Sequence, residues 1–154
     1  MVNRLETQLI PVLFEALQND RFVTVATIDH ETSTPMIHAI SWIYAVDEST
    51  LRFAVTSRSR MIENLEKNTA ISINLIANES TYTITGQSQI LTKQASSVPL
   101  KVSIVEVHIE EIRDVMFYGS KMVSEPAYEK TYDIVAAEKL DRQVMDALKK
   151  GTES

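Results

Sequence analysis

Cysteine is absent from the 154 residues, which excludes disulfides, thiolate metal sites and cysteine nucleophiles. Glycine is almost as scarce: with three in the chain, no Gly-rich phosphate loop can be built. No G-x-S-x-G elbow is present to expose a nucleophilic serine. Positive charge is in short supply too, fifteen basic residues against twenty-one acidic ones for a net charge of −6. Without a long basic stripe to offset that balance, nucleic acid and anionic membranes are not expected as partners. No uninterrupted apolar run reaches membrane-spanning length, and the opening MVNRLETQLIPVLFEAL carries acidic residues that a signal peptide lacks. A cytoplasmic protein is the expectation. His30, His38 and His108 lie far apart with no metal-ligand spacing, so no metal site is expected. Glu110 and Glu111 are adjacent, and adjacent residues of a strand face opposite sides, which argues against a catalytic carboxylate pair.

An apolar share of 44% with 23% charged residues fits one globular domain spanning residues 1–154. At the start, Leu5, Leu9, Val12, Leu13, Ala16 and Leu17 recur at helical spacing, with Asn3, Glu6, Gln8 and Glu15 elsewhere on the wheel. Pro11 interrupts this helix, which either kinks or restarts there. From Phe22 the pattern turns to β-rich runs. FVTVATID is a strand, HETST its turn, and PMIHAISWIYAV a long second strand that is apolar on both faces. DEST leads into LRFAVT, and RMIENLEKN forms a short helix with Met61, Ile62 and Leu65 on one side and Glu63, Asn64, Glu66 and Lys67 on the other. TAISINLIA, TYTITGQSQILTK and LKVSIVEVHIEEI complete six strands. Gly86 marks a bulge or a close backbone approach, and a shift of apolar phase predicts a bulge near Ile104. Residues 114–131 are irregular, with Phe117, Tyr118 and Tyr128 as candidate anchors. Ile134, Ala137, Leu140, Val144 and Leu148 then stripe a second amphipathic helix that stops at Gly151. The fold class expected is mainly β with helices at both ends, a six-stranded antiparallel barrel.

The stretch VTSRSRMI, residues 55–62, crowds two serines and two arginines between a strand and a helix. Ser57 or Ser59 can cap the helix, whose first backbone N–H groups favour an anion. Arg58 and Arg60 add forked donors suited to phosphate oxygens. Cations at a helix start oppose the macrodipole, so this turn is either a phosphate site or a solvated turn of a common kind. His38, mid-strand among apolar residues, reads on its own as a core or interface histidine with a satisfied ring. Trp42 and Tyr44 can stack on a flat ligand or fill the core.

The succession FVTVATID, turn, Pro-initiated strand, LRFAVT, SRSR, MIENLEKN and TAISINLI, over residues 20 to 93, resembles the FMN-binding split-barrel proteins related to pyridoxamine 5′-phosphate oxidase. The resemblance implies a six-stranded split β-barrel and a homodimer with FMN bound at the subunit interface. It places Ser59 and Arg60 on the FMN phosphate. Met61 stands where lysine often follows, which leaves Arg58 to supply that charge, with Ser57 in the same turn. Val55, where a threonine is common, and Thr56 line the flavin. His38 matches a basic position of the family, Ile40 and Ser41 follow it toward the ring, and Thr81 stands where glutamine is frequent. The C-terminal arginine and histidine motif of the vitamin-specific oxidases is missing from EKLDRQVMDALKKGTES, so vitamin B6 oxidation is not expected. What the resemblance implies is an FMN-dependent oxidoreductase acting on a small organic molecule, with no catalytic side chain assigned. The alternatives are a non-catalytic flavin or haem binder, a deazaflavin site, or a structural dimer whose cofactor site has degenerated.

Overall fold

The computed structural model describes residues 5–151. Chain order is β1 (Leu5–Glu6), α1 (Pro11–Ala16), β2 (Val23–Ile28), β3 (Pro35–Ile40), β4 (Ile43–Asp47), β5 (Thr50–Thr56), α2 (Arg60–Lys67), β6 (Ala70–Ala77), β7 (Ser80–Thr92), β8 (Val102–Asp114) and α3 (Ile134–Lys150). The strands form one antiparallel eight-stranded sheet in the order β3-β2-β6-β7-β8-β5-β4, with β1 added on β8. The mainly β architecture with helices is as expected, but there are eight strands where the sequence suggested six.

Both extra strands have identifiable causes. The first apolar stripe is not helical from its start: Leu5 pairs with Arg113 in β1 and is 51% exposed. The helix begins at Pro11, where a missing N–H costs nothing because first-turn donors have no intrahelical acceptor. Asn3, assigned to the polar side of that stripe, lies outside the described residues. PMIHAISWIYAV, read as one strand, breaks at Ser41 and Trp42, where Ile43 N–H bonds back to the Ser41 carbonyl at 3.0 Å. No glycine or proline marks this break.

That break shapes the molecule. β3 and β4 are the two ends of the strand order, yet only Ser41 and Trp42 separate them in sequence. Laid flat, seven strands would hold their outer edges about 29 Å apart, whereas the link from Ile40 to Ile43 reaches only about 11 Å. The sheet therefore curls until its edges meet at this seam. Its concave side is filled by Val23, Val25, Ile43, Leu51, Phe53, Ile71, Ile73, Leu75, Ile84, Val105 and Val107, all buried. Leu13 and Leu17 join this core from the N-terminal segment, and Met61, Ile62 and Leu65 from α2. On the convex side Ala54, Val102 and Ile104 pack against Val144, Met145, Ala147 and Leu148 of α3.

Bulges let two long strands follow the curve. Ile90 pairs with Val105 and Thr92 with Ile104, so the bulge lies where the apolar phase shifts, with the extra residue on β7. A second register shift places Thr85 opposite Glu111 and Gly86 opposite Ile109. Glycine is required at 86 because an added Cβ would collide with the His108 carbonyl. α3 is capped by Asp133, whose carboxylate accepts from Val135 and Ala136 N–H, and it ends at Gly151 with φ of 84°. The candidate anchors of the irregular segment divide: Tyr128 donates to Asp20 at 2.9 Å, but Phe117 and Tyr118 are 68% and 91% exposed and are not buried as anchors would be. No helix among the described residues is long and apolar enough to cross a membrane.

The β6–β7 hairpin turns through Asn78 and Glu79, both at positive φ, 53° and 59°. Asparagine tolerates this region and glutamate does not, while the exposed Glu79 ion pair with Lys121 at 3.4 Å adds little. Glu79→Gly is therefore predicted to raise stability by up to about 1 kcal/mol. Urea unfolding checks this, and a lower midpoint would contradict it.

Candidate functional site

At the seam the end of β3, the linking Ser41 and Trp42, β5 and the start of α2 enclose a groove of about 290 Å³. His38, Ile40 and Ser41 line it from the β3 side and Val55 and Thr56 from β5, while Ser59 and Met61 close it at the helix start. The curl thus brings together most of the residues singled out from the sequence. Ala39, Trp42 and Ala54 also line the groove. The alanines carried no signal of their own, because small residues become informative only once a neighbouring surface is known. Thr81 does not line this groove: it pairs with Ile76, and its hydroxyl accepts from Asn74 Nδ2 at 2.7 Å.

The four residues of the SRSR turn have separate local roles. Ser59 is the α2 cap, with extended backbone and Oγ accepting from Met61 N–H at 3.2 Å. Ser57 is not a cap; its hydroxyl donates to the Lys93 carbonyl at 2.6 Å. Arg58 is exposed and makes no hydrogen bond or ion pair among the described residues. Arg60, its side chain 38% exposed, reaches toward the β2–β3 turn. There its Nε and Nη2 donate to the two Asp29 oxygens at 2.5 and 3.3 Å, and Nη2 also reaches Glu31 at 2.5 Å. The charge at the helix start that opposes the macrodipole is therefore partly balanced by carboxylates of the chain itself.

This contact locks α2 onto the sheet. Asp29, 4% exposed, also accepts from Glu31 N–H, Thr32 N–H and the Thr32 hydroxyl. Its carboxyl is held far below the ordinary carboxylate range, first by the Arg60 guanidinium and then by the Thr32 backbone bond. The Arg60 guanidinium is correspondingly held charged, by Asp29 and then Glu31. Asn64, placed by the sequence on the polar face of the helix, is fully buried. Its Oδ1 accepts from His30 N–H at 2.9 Å and its Nδ2 donates to Thr27 Oγ1 at 3.0 Å. Lys67 adds a bond to the His30 carbonyl at 2.9 Å. The signal in the sequence was Asp29, the last residue of FVTVATID just before HETST, a residue type that caps turns through its own side chain.

His38 departs from its bland reading. Its Nδ1 is buried with no hydrogen-bond partner, although the ring borders the groove. A buried polar atom left unpaired costs free energy, so such atoms in native folds call for an explanation. Trp42 is held from behind, its indole Nε1 donating to Asp141 at 2.8 Å.

A curled antiparallel sheet with helices and a groove at its seam beside a helix N-terminus defines the class, a mainly β α+β protein. The chain belongs to the pyridoxamine 5′-phosphate oxidase family, whose model matches residues 9–116. No curated protein sequence matches. Among solved structures, the chain is similar to a candidate pyridoxamine 5′-phosphate oxidase of Lactobacillus delbrueckii, at 14% identity and a TM-score of 0.61 over 73% of this chain and 98% of that one. It is similar to HupZ of Group A Streptococcus at 20% identity and a TM-score of 0.59, again over 73% and 98%. An F420 reductase follows at 18% identity and a TM-score of 0.52, over 64% of this chain and 93% of that one. At these identities the likeness speaks for the fold alone.

Because the Asp29 carboxyl titrates below its ordinary value of 3.8, its stabilising effect is complete above that pH and is lost as pH falls further toward the folded-state value. Asp29→Asn is thus predicted to melt several degrees below the wild type at pH 7, with the gap closing below pH 3.8. Thermal melts across the acid range check this, and a gap independent of pH would contradict it.

Proposed function

We propose that this protein is a split-barrel flavoprotein that binds FMN at the seam, works as a homodimer, and oxidises or reduces a small organic molecule. The observation that carries this reading is the groove itself: an apolar wall of Ile40, Trp42, Val55 and Met61 runs up to the helix start capped by Ser59, and the exposed Arg58 precedes that cap in sequence. FMN has matching parts, a flat apolar ring and a dianionic phosphate. When bound, it supplies the hydride or electron transfer. The side chains hold it. Ile40 and Val55 exclude water from the ring, His38 and Ser41 offer hydrogen bonds to its polar edge, and Thr56, Ser59 and Arg58 serve the phosphate. Arg60 braces the helix and, with its charge shared between two carboxylates, contributes less to the anion than its place in the motif implies. Vitamin B6 oxidation is not part of the proposal, since the C-terminal tail lacks the basic motif that the vitamin-specific oxidases carry.

A second reading, a non-catalytic flavin or haem binder or a structural dimer, is favoured by one observation. Met61 is 1% exposed where the resemblance calls for a cation, and Arg60 is already paired. Titrating FMN and following its fluorescence separates the two. Saturable quenching is predicted, with Arg58→Ala weakening binding by about 1.5–3 kcal/mol if its guanidinium bonds the phosphate. Quenching with no effect of Arg58→Ala would reject the phosphate assignment, and no quenching at all would favour the second reading.

The dimer draws on different observations. β3 pairs only with β2 and leaves its other edge open, and on it Ile37 is 69% exposed. Phe117 and Tyr118 add aromatic surface. Open strand edges and exposed apolar side chains of this kind mark interaction surfaces. Sedimentation equilibrium at micromolar concentration is predicted to give twice the chain mass, and a monomer in the presence of FMN would contradict an interface site.

A further inference from the structure

α3 supplies no residue to the lining of the groove, yet one of its side chains bonds a residue that lines it. Trp42 is the only tryptophan and sits in the two-residue seam, its backbone carbonyl accepting from Ala54 N–H at 3.0 Å. Trp42 lines the groove. Elsewhere the ring packs on the convex core with Val144 and Leu148 of α3. Its one polar atom, Nε1, donates to Asp141 Oδ1 at 2.8 Å. Asp141 is itself fixed: its side chain is 15% exposed and pairs with Lys130 at 2.9 Å. Lys130 comes from the segment after β8 and borders a second depression, which shares Ala39, Ile40 and Ser41 with the groove. A carboxylate in this setting is a strong, oriented acceptor.

We infer that Asp141 is a positioning residue that sets the orientation of the Trp42 indole, and through it the width of the seam groove available to a flat aromatic ring. Trp42 touches the ligand; Asp141 acts through Trp42. The geometry favours this over a plain packing role for the pair. A tryptophan held only for burial needs its ring covered, whereas this one lines the groove and is held by a charge-assisted bond to a carboxylate that is itself paired with a cation. The ligand class, a planar heteroaromatic ring, rests on the flavin reading above.

The test uses Trp42 emission and FMN affinity on the full chain. In ligand-free protein, Asp141→Ala is expected to shift the emission maximum and lower the steady-state anisotropy of Trp42, while Asp141→Asn, which keeps an acceptor oxygen, stays close to wild type. FMN affinity is expected to fall about three- to tenfold in Asp141→Ala, the range for immobilising one side chain at a binding surface, and to recover in Asp141→Asn. In a Trp42→Phe background, Asp141→Ala should cause no further loss. Unchanged Trp42 emission and anisotropy in Asp141→Ala, or an equal loss of affinity in the Trp42→Phe background, would overturn the inference. The emission measurement needs no cofactor. If wild-type protein binds no FMN, the flavin reading fails on its own, and the emission of the ligand-free variants still decides whether Asp141 positions Trp42.

Discussion

Two residues hold the ends of a seven-strand path together, and most of the molecule follows from that constraint. Ser41 and Trp42 are all that separates β3 at one end from β4 at the other, so the sheet has to curl. The curl gives β2, β4, β5, β6, β7 and β8 a shared interior, with Phe53, Ile73 and Leu75 fully buried in it. It also requires two register shifts along the long β7–β8 pairing, and at one of them glycine is the residue the backbone approach permits. The seam cannot be packed as a continuous pair of strands is. A groove remains where the two edges meet, and the proposed cofactor site is that groove.

α2 completes the site and depends on electrostatics more than on helix propensity. Eight residues do not form a stable helix alone. Met61, Ile62 and Leu65 anchor its apolar face, and Asn64 and Arg60 fasten the helix to the β2–β3 turn. In the proposed site a guanidinium held by Asp29 and Glu31 has less charge to offer a phosphate, whereas Arg58 has no such commitment among the described residues. A comparable contact lies across the seam, where Trp42 donates to Asp141 of α3, which in turn pairs with Lys130 from the segment after β8.

The strands were legible because their patterns are strong. Ile71, Ile73 and Leu75 alternate and are buried as the alternation requires. The phase shift at Ile104 located a bulge, although it could not tell which strand holds the extra residue. What the sequence concealed was of two kinds. The break at Ser41 and Trp42 has no glycine or proline because it is imposed by closure of the sheet and not by local turn chemistry. In the sequence Asn64 reads as polar-face and Arg60 as a phosphate ligand because their partners, Thr27 and Asp29, are more than thirty residues away, and no periodicity reports a contact of that range. For the site, the resemblance singled out residues of β3, β5 and α2 that line one groove, while the pairing of Arg60 with Asp29, the lack of a partner for His38 Nδ1 among the described residues and the bond from Trp42 to Asp141 emerged only from the fold.

The central claim is that the seam groove is the cofactor site. The most direct measurement is a crystal structure of the protein grown with FMN. The account predicts flavin density in the groove between β3 and β5, with the phosphate at the start of α2 and a ring atom within hydrogen-bond reach of His38. Flavin bound elsewhere on the molecule, or a groove that stays empty while FMN is bound in solution, would contradict it.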